Sequence, residues 1–521
     1  MDKVLLKQRD RYSIEIKARY LIDPTQLTRK GYGLRVYFFF PQPFRVSRST
    51  YDSQSFFSQL KLYLRFNTPV FSVEELLEPL SDVSTLVRIE KMLHRRKTGD
   101  EYFREEKAFI YESKLLGSVY KSILRELLNS ARSDGGVRKA GKAEEAKLEE
   151  SIKAMHAVAR RFHAVAEELE RLEPDADVLQ HARMIDEHLS LLLEKYLTSV
   201  LSLCDEDKQD DLYGRIVKVL LKEEKHRAEK GYPSQPSRIE RQQQFEEYVY
   251  REKMLKKYAS EVLFFDVDRR DTAKRGEHVL YAVAAGIAMV LATTIAFYGQ
   301  TRFGNFSVSL FALLVVGYML KDRVKDFFRE VLKRRLGPHL NDRKSRIQGR
   351  RRKKRLATVS ERAYYVKEAK LDPAIRELRD RSYFERTLFA EEEEKILLYA
   401  KRLNLNARNL NAVHSRINGV ADINMVDLSP FLRHLSAQYG LVPTIENKKR
   451  VSLKRVKRIY HLNVIVAHDS PEGRIAGRFR LVVDAQGIKR IEPVEPRGPL
   501  SNDGVRLVPQ SMAEEEGEYE Y

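Results

Sequence analysis

The sequence predicts an α+β chain, mainly helical, with small antiparallel β units near both ends, a central two-helix transmembrane hairpin and a cytoplasmic helical bundle. Three observations predict it. Two uncharged stretches stand back to back, twenty residues at 279–298 and eighteen at 303–320. Apolar residues recur with a period of two near each end, the signature of half-buried strands. Between them Leu148, Ile152, Met155, Ala159, Phe162, Ala166 and Leu169 follow alternating steps of four and three, a helical seam carried for three repeats.

The first part, residues 1–130, opens with strands. Ile14, Ile16, Ala18, Tyr20 and Ile22 alternate with mostly charged residues until Asp23 and Pro24, and residues 31–40 are dense in aromatic and branched side chains. From 51 to 130 the pattern is mostly helical. Residues 131–147 are small, polar and glycine-bearing and read as a linker. The seam helix follows, then helices over about 178–203 and 212–227, and a last one over 238–265. Their short connections favour a bundle within one chain over a coiled coil between chains.

Length sets the reading of 279–320. At about 1.5 Å rise per residue the two stretches would be roughly 30 and 27 Å long, near the thickness of a bilayer's hydrocarbon. Residues 299–302 are too few to cross back, so the pair is expected to be a hairpin. Between Lys321 and Arg355 there are sixteen Lys or Arg against four Asp or Glu, and positive flanks stay in the cytoplasm. The expectation is a multi-pass protein of the inner cell membrane with both termini cytoplasmic. Ala284, Ala288, Ala292 and Ala296 fall at every fourth position, a smooth face for the second span or for the same span of a second copy. Neither span holds an ionisable residue, which argues against transport.

The basic segment 321–355 ends in Arg350, Arg351, Arg352, Lys353, Lys354 and Arg355. Beside a bilayer such a run meets anionic lipid first, at about 1 kcal/mol per cation. No aromatic residues interleave with it, which argues against nucleic acid as a partner. Beyond it, 356–440 reads as helical, with helices over 361–381 and 384–403. Residues 441–495 read as a small β meander, and the acidic 496–521 as a tail without a core-forming pattern.

Catalytic signatures fail. Asp266, Asp268 and Asp271 lie within six residues, but Arg269, Arg270, Lys274 and Arg275 surround them as ready ion-pair partners. The first two superficially resemble the opening of the haloacid-dehalogenase motif, except that Arg270 stands where that motif needs Thr or Val. His156 and His163, like His181 and His188, are seven apart, and ordinary bundle histidines are the simpler reading. Phosphate-binding, nucleophile-elbow and zinc-protease motifs are missing from the sequence, and no metal or cofactor is expected. The lone Cys204 has no partner for a disulfide. The N-terminus shows no continuous apolar run of a cleavable signal.

The function these features suggest is a cytoplasm-facing membrane scaffold or regulatory protein that binds membrane lipids and protein partners the sequence does not name. A membrane-bound enzyme and a membrane-tethered nucleic-acid binder are the alternatives.

Overall fold

The computed structural model describes residues 4–21, 29–97, 106–133, 142–172, 176–203, 211–234, 242–271, 273–304, 307–336, 342–349, 354–379, 394–411, 419–446, 450–471, 473–495 and 505–507. Residues 134–141 of the expected linker, Cys204, the acids at 391–393 and nearly all of the acidic tail lie outside them. The chain divides into two compact units. Residues 1–64, 265–415 and 419–521 form one, and residues 65–264 with 416–418 form the other.

The first unit is built on large sheets, which corrects the expected fold class of small β units near the ends. Strands β1 (Val4–Gln8), β2 (Ser13–Leu21), β9 (Gly419–Asp427) and β4 (Leu60–Phe66) form a four-stranded sheet in that order. The larger sheet has nine strands. Its order is β14 (Gly487–Val494), β13 (Gly473–Asp484), β12 (Tyr460–Ser470), β3 (Arg29–Phe40), β8 (Lys395–Asn406), β7 (Arg355–Val366), β6 (Arg343–Gln348) and β5 (Asp266–Asp271), with β15 (Val505–Leu507) beside β13. The expected meander is present as β12, β13 and β14, but β12 pairs with β3, so the two ends of the chain share one sheet.

Residues expected to be helical at 361–381 and 384–403 include much of β7 and β8, and the reason is burial on both faces. A strand at the centre of a covered sheet loses the apolar and polar alternation that marks a half-buried one. In β3, Tyr37 and Phe39 join Ile396, Leu398 and Ile465 in a core beneath Ile375 and Leu378. Phe38 and Phe40 point the other way, Phe38 meeting Phe56 edge-on at 6.1 Å and Phe40 lying 4.6 Å from Phe431. The run 395–406 therefore reads as Lys-Ile-Leu-Leu-Tyr-Ala before alternation returns at Lys401, Leu403 and Leu405, all buried. Gly487, the first residue of β14, takes φ +141°, and a side chain there would meet Arg11 at 2.5 Å. That close approach lets the Ile488 amide donate to the Arg11 carbonyl at 2.8 Å.

The second unit is helical. Its helices include α4 (Glu106–Ser133), α5 (Lys142–Arg171), α6 (Ala176–Leu201), α7 (Asp211–Glu229) and α8 (Gln242–Ser260). The seam of α5 is buried from Ile152 to Leu169, with Met155, Ala159 and Phe162 wholly so. Gly117 of α4 lets that helix approach closely: a side chain there would meet Ala259 at 3.2 Å and His188 at 3.3 Å. A capping box at Ser72 and Glu75 starts α2 (Val73–Leu77).

The apolar stretches form α9 (Ala273–Phe303) and α10 (Val308–Leu336), packed on each other. Only α9 is long and apolar enough to cross a membrane among the described residues, over Tyr281–Phe303. Phe303 belongs to α9, and Gly304 at φ +70° ends the helix there. The uncharged part of α10 begins at Val308 and meets Lys321, thirteen residues later. That is about 20 Å, well short of the roughly 30 Å a crossing needs. The expected two-span hairpin is thus not formed. The multi-pass placement in the inner membrane and the cytoplasmic assignment of the bundle and both termini rested on it and fall with it.

Candidate functional site

Three helices of the second unit converge on a buried carboxylate. Asp186 on α6 is wholly inaccessible to solvent, and its partners are two imidazoles and a phenol. His163 of α5 places Nδ1 2.5 Å from Asp186 Oδ1. His226 of α7 places Nε2 2.8 Å from Asp186 Oδ2, to which the Tyr232 hydroxyl also donates at 2.8 Å. The two imidazole rings stack at 3.8 Å between centroids. Glu223 lies one turn before His226, a spacing that puts both on one helix face. Its Oε2 is 3.3 Å from His163 Nε2 and its Oε1 3.5 Å from His156 Nε2.

The electrostatics follow from burial opposed by pairing. Burial alone would depress the His163 imidazolium, but hydrogen bonds to Asp186 and Glu223 outweigh it and raise its pKa to about 9. Burial would raise both carboxyls, and their histidine partners reverse this. Asp186 and Glu223 are each held below the ordinary carboxylate range. Tyr232 is pushed up by burial and by the neighbouring Asp186. Three nearby cations are engaged elsewhere. Arg227 pairs with Glu194 and donates to Ser190 at 2.7 Å, Arg251 holds Glu187 at 2.7 Å, and Lys230 holds Glu170 at 2.9 Å.

The sheet unit contains a second buried polar group. Lys401 of β8 reaches across to Asp422 of β9 at 2.6 Å, and neither side chain is exposed. Lys401 also donates to Asn424 at 3.1 Å, the Tyr20 hydroxyl donates to Asp422 at 3.2 Å, and Tyr399 donates to Glu361 at 2.6 Å. His468 stacks on Tyr20 at 5.1 Å.

The residues singled out by sequence are dispersed. Asp266, Asp268 and Asp271 lie on β5, where Asp268 stands opposite Arg346 and Asp271 opposite Arg343. Alternation along a strand puts Asp271 on the face opposite to the other two. Of the cationic run, Lys354 and Arg355 are exposed where β7 begins, with Arg355 donating to Thr358; Arg350, Arg351, Arg352 and Lys353 lie outside the described residues. The basic segment is therefore divided between α10 and the hairpin of β6 and β7. Ala284 and Ala288 are buried, and Ala292 and Ala296 are half-buried. On the facing helix Gly317 lies against Ile295, while Leu313 packs over Gly299, where a Cβ would meet it at 2.5 Å.

His163 was visible in sequence only as a member of a seven-residue pair. The signal that pointed further was the spacing of Glu223 and His226, three apart on one helix; Asp186 carried none. The fold and its polar clusters define a two-unit α+β protein with a helical bundle and paired antiparallel sheets. No family model, no curated protein and no solved structure matches the chain.

Proposed function

We propose that this chain is a non-catalytic binding platform attached to a lipid bilayer through α9. The observation that carries the reading is the exposure of the α9 and α10 pair. Val283, Met289, Val290, Phe297 and Tyr298 of α9, and Phe311, Val316, Tyr318 and Met319 of α10, stand exposed around the pair. Only 17% of the most apolar window of α9 is buried. An exposed apolar surface that continues around two helices is not tolerated in water and marks an interaction site. The mean hydropathy of 1.8 over Tyr281–Phe303 matches hydrocarbon better than the mixed surface of a protein partner. Lys321 beyond the apolar part of α10, its ammonium 4.1 Å over the Tyr318 ring, gives that end a cationic and aromatic rim suited to headgroups.

Flotation with phosphatidylcholine vesicles, with and without anionic phosphatidylglycerol, tests the reading. The full chain is expected to float with both. Val290→Asp/Phe297→Asp is expected to remain at the bottom of the gradient, because each charge in hydrocarbon costs about 2.5–3.5 kcal/mol. Replacing the six cations by Gln is expected to reduce only the preference for anionic vesicles. A wild-type chain that stays monodisperse without detergent and does not float would overturn the proposal.

A further inference from the structure

We propose that His163, Asp186 and His226, supported by Glu223, form a binding site for a single divalent transition-metal cation of the zinc type. The first argument is geometric. The donor atoms of His163, Asp186 and His226 already lie within 4.8 Å of one another, delivered by three different helices. A four-coordinate set at about 2.1 Å spaces its donors about 3.4 Å apart, so taking up the ion requires the two stacked imidazoles to swing out of their present contact. Glu223 faces the other ring nitrogen, Nε2, of His163 at 3.3 Å and is placed as an outer partner of that ligand.

The second argument is charge. Asp186 and Glu223 bring two negative charges into a site where both are at least nine-tenths shielded from solvent, and their other neighbours are imidazole, hydroxyl and phenol groups. Protons on the histidines are one way to balance those charges, but a proton on each of two rings stacked at 3.8 Å sets like charges face to face. One dication balances both carboxylates while the imidazoles remain neutral ligands. Two nitrogen donors and a carboxylate select the zinc-type divalent ions over calcium and magnesium, which take oxygen alone. Around the donors Tyr232 holds Asp186 and Glu223 holds His163, the outer partners that orient metal ligands.

The test uses the full chain in detergent, stripped with chelator and dialysed against zinc chloride, with metal counted by elemental analysis. One zinc per chain is expected for the wild type. His163→Ala/His226→Ala is expected to lose uptake by at least about tenfold, the scale set by loss of ligand support. His181→Ala, beside Tyr258 and outside the cluster, is expected to keep it. Cobalt substitution reads the site without relying on that double variant: intense visible bands of a four-coordinate ion are expected in the wild type, shifted or lost in the milder Glu223→Gln. A wild type that takes up no zinc overturns the proposal, as does zinc retained in full by the double variant or a cobalt spectrum unchanged by Glu223→Gln.

Discussion

Among the described residues each unit buries one aspartate completely, and the two aspartates are neutralised in different ways. Asp422, between the sheets, meets the ammonium of Lys401 at 2.6 Å. Asp186, between the helices, meets His163 and His226, whose charge depends on a proton. A closed ion pair has no use for a ligand, so the sheet network is read as structural: it holds two layers in one register. An anion surrounded by imidazoles is complete only with a proton or a metal, so the same degree of burial marks a binding site in the helical unit. Burial of an acid does not by itself distinguish the two; the identity of its partner does.

The largest effect expected from breaking this comparison is at Lys401. Lys401→Met leaves Asp422 buried with Tyr20 as its remaining hydrogen-bond donor, and removing one partner of a buried pair costs about 3–5 kcal/mol. Urea unfolding in detergent is expected to show that loss, and Lys401→Met/Asp422→Leu to recover most of it. If the single variant is as stable as the wild type, the pair has no structural role. A smaller effect is expected at Asp186, where Asp186→Asn removes the stabilisation that zinc adds, beyond the pairing with His163 and His226 that it loses without zinc. Equal destabilisation with and without zinc would place Asp186 in the same class as Asp422.

The smallest expected effect concerns a partly exposed carboxylate. Burial acts to raise the Asp469 pKa, but Arg474 and Arg35 at 2.8 Å more than reverse it, so the folded value lies below the ordinary one. A depressed carboxyl stabilises the fold above its unfolded pKa of about 3.9, and that contribution is lost as pH falls through the folded value. Because the pairs are partly exposed, their worth is about 0–1 kcal/mol each. Asp469→Asn is expected to flatten the acid limb of the stability curve by that amount; a steeper loss at neutral pH would contradict the assignment.

How much of this was legible in the sequence depended on whether the pattern was local. The seam from Ile152 to Leu169 was readable because one helix face carries it, and β2 because one residue in two is apolar. That 279–298 lies in a long apolar helix was legible by composition, but the break at Gly304, which leaves α10 too short, follows from one backbone conformation. β7 and β8 were read as helices because strands covered on both faces no longer alternate. The pairing of β2 with β9 joins residues 13–21 to 419–427, and nothing local encodes it. The metal candidate was hidden for the same reason: His163, Asp186 and His226 come from three helices, and only Glu223 and His226 share one.

The most direct test of the central contrast is thermal unfolding of the full chain in detergent, zinc-stripped and then with zinc at about one hundred times its dissociation constant, where one site contributes about 2.7 kcal/mol. The account predicts a higher Tm with zinc in the wild type and in Lys401→Met, and no zinc response in His163→Ala/His226→Ala. A wild-type Tm indifferent to zinc would contradict it, and the two buried aspartates would then belong to one structural class.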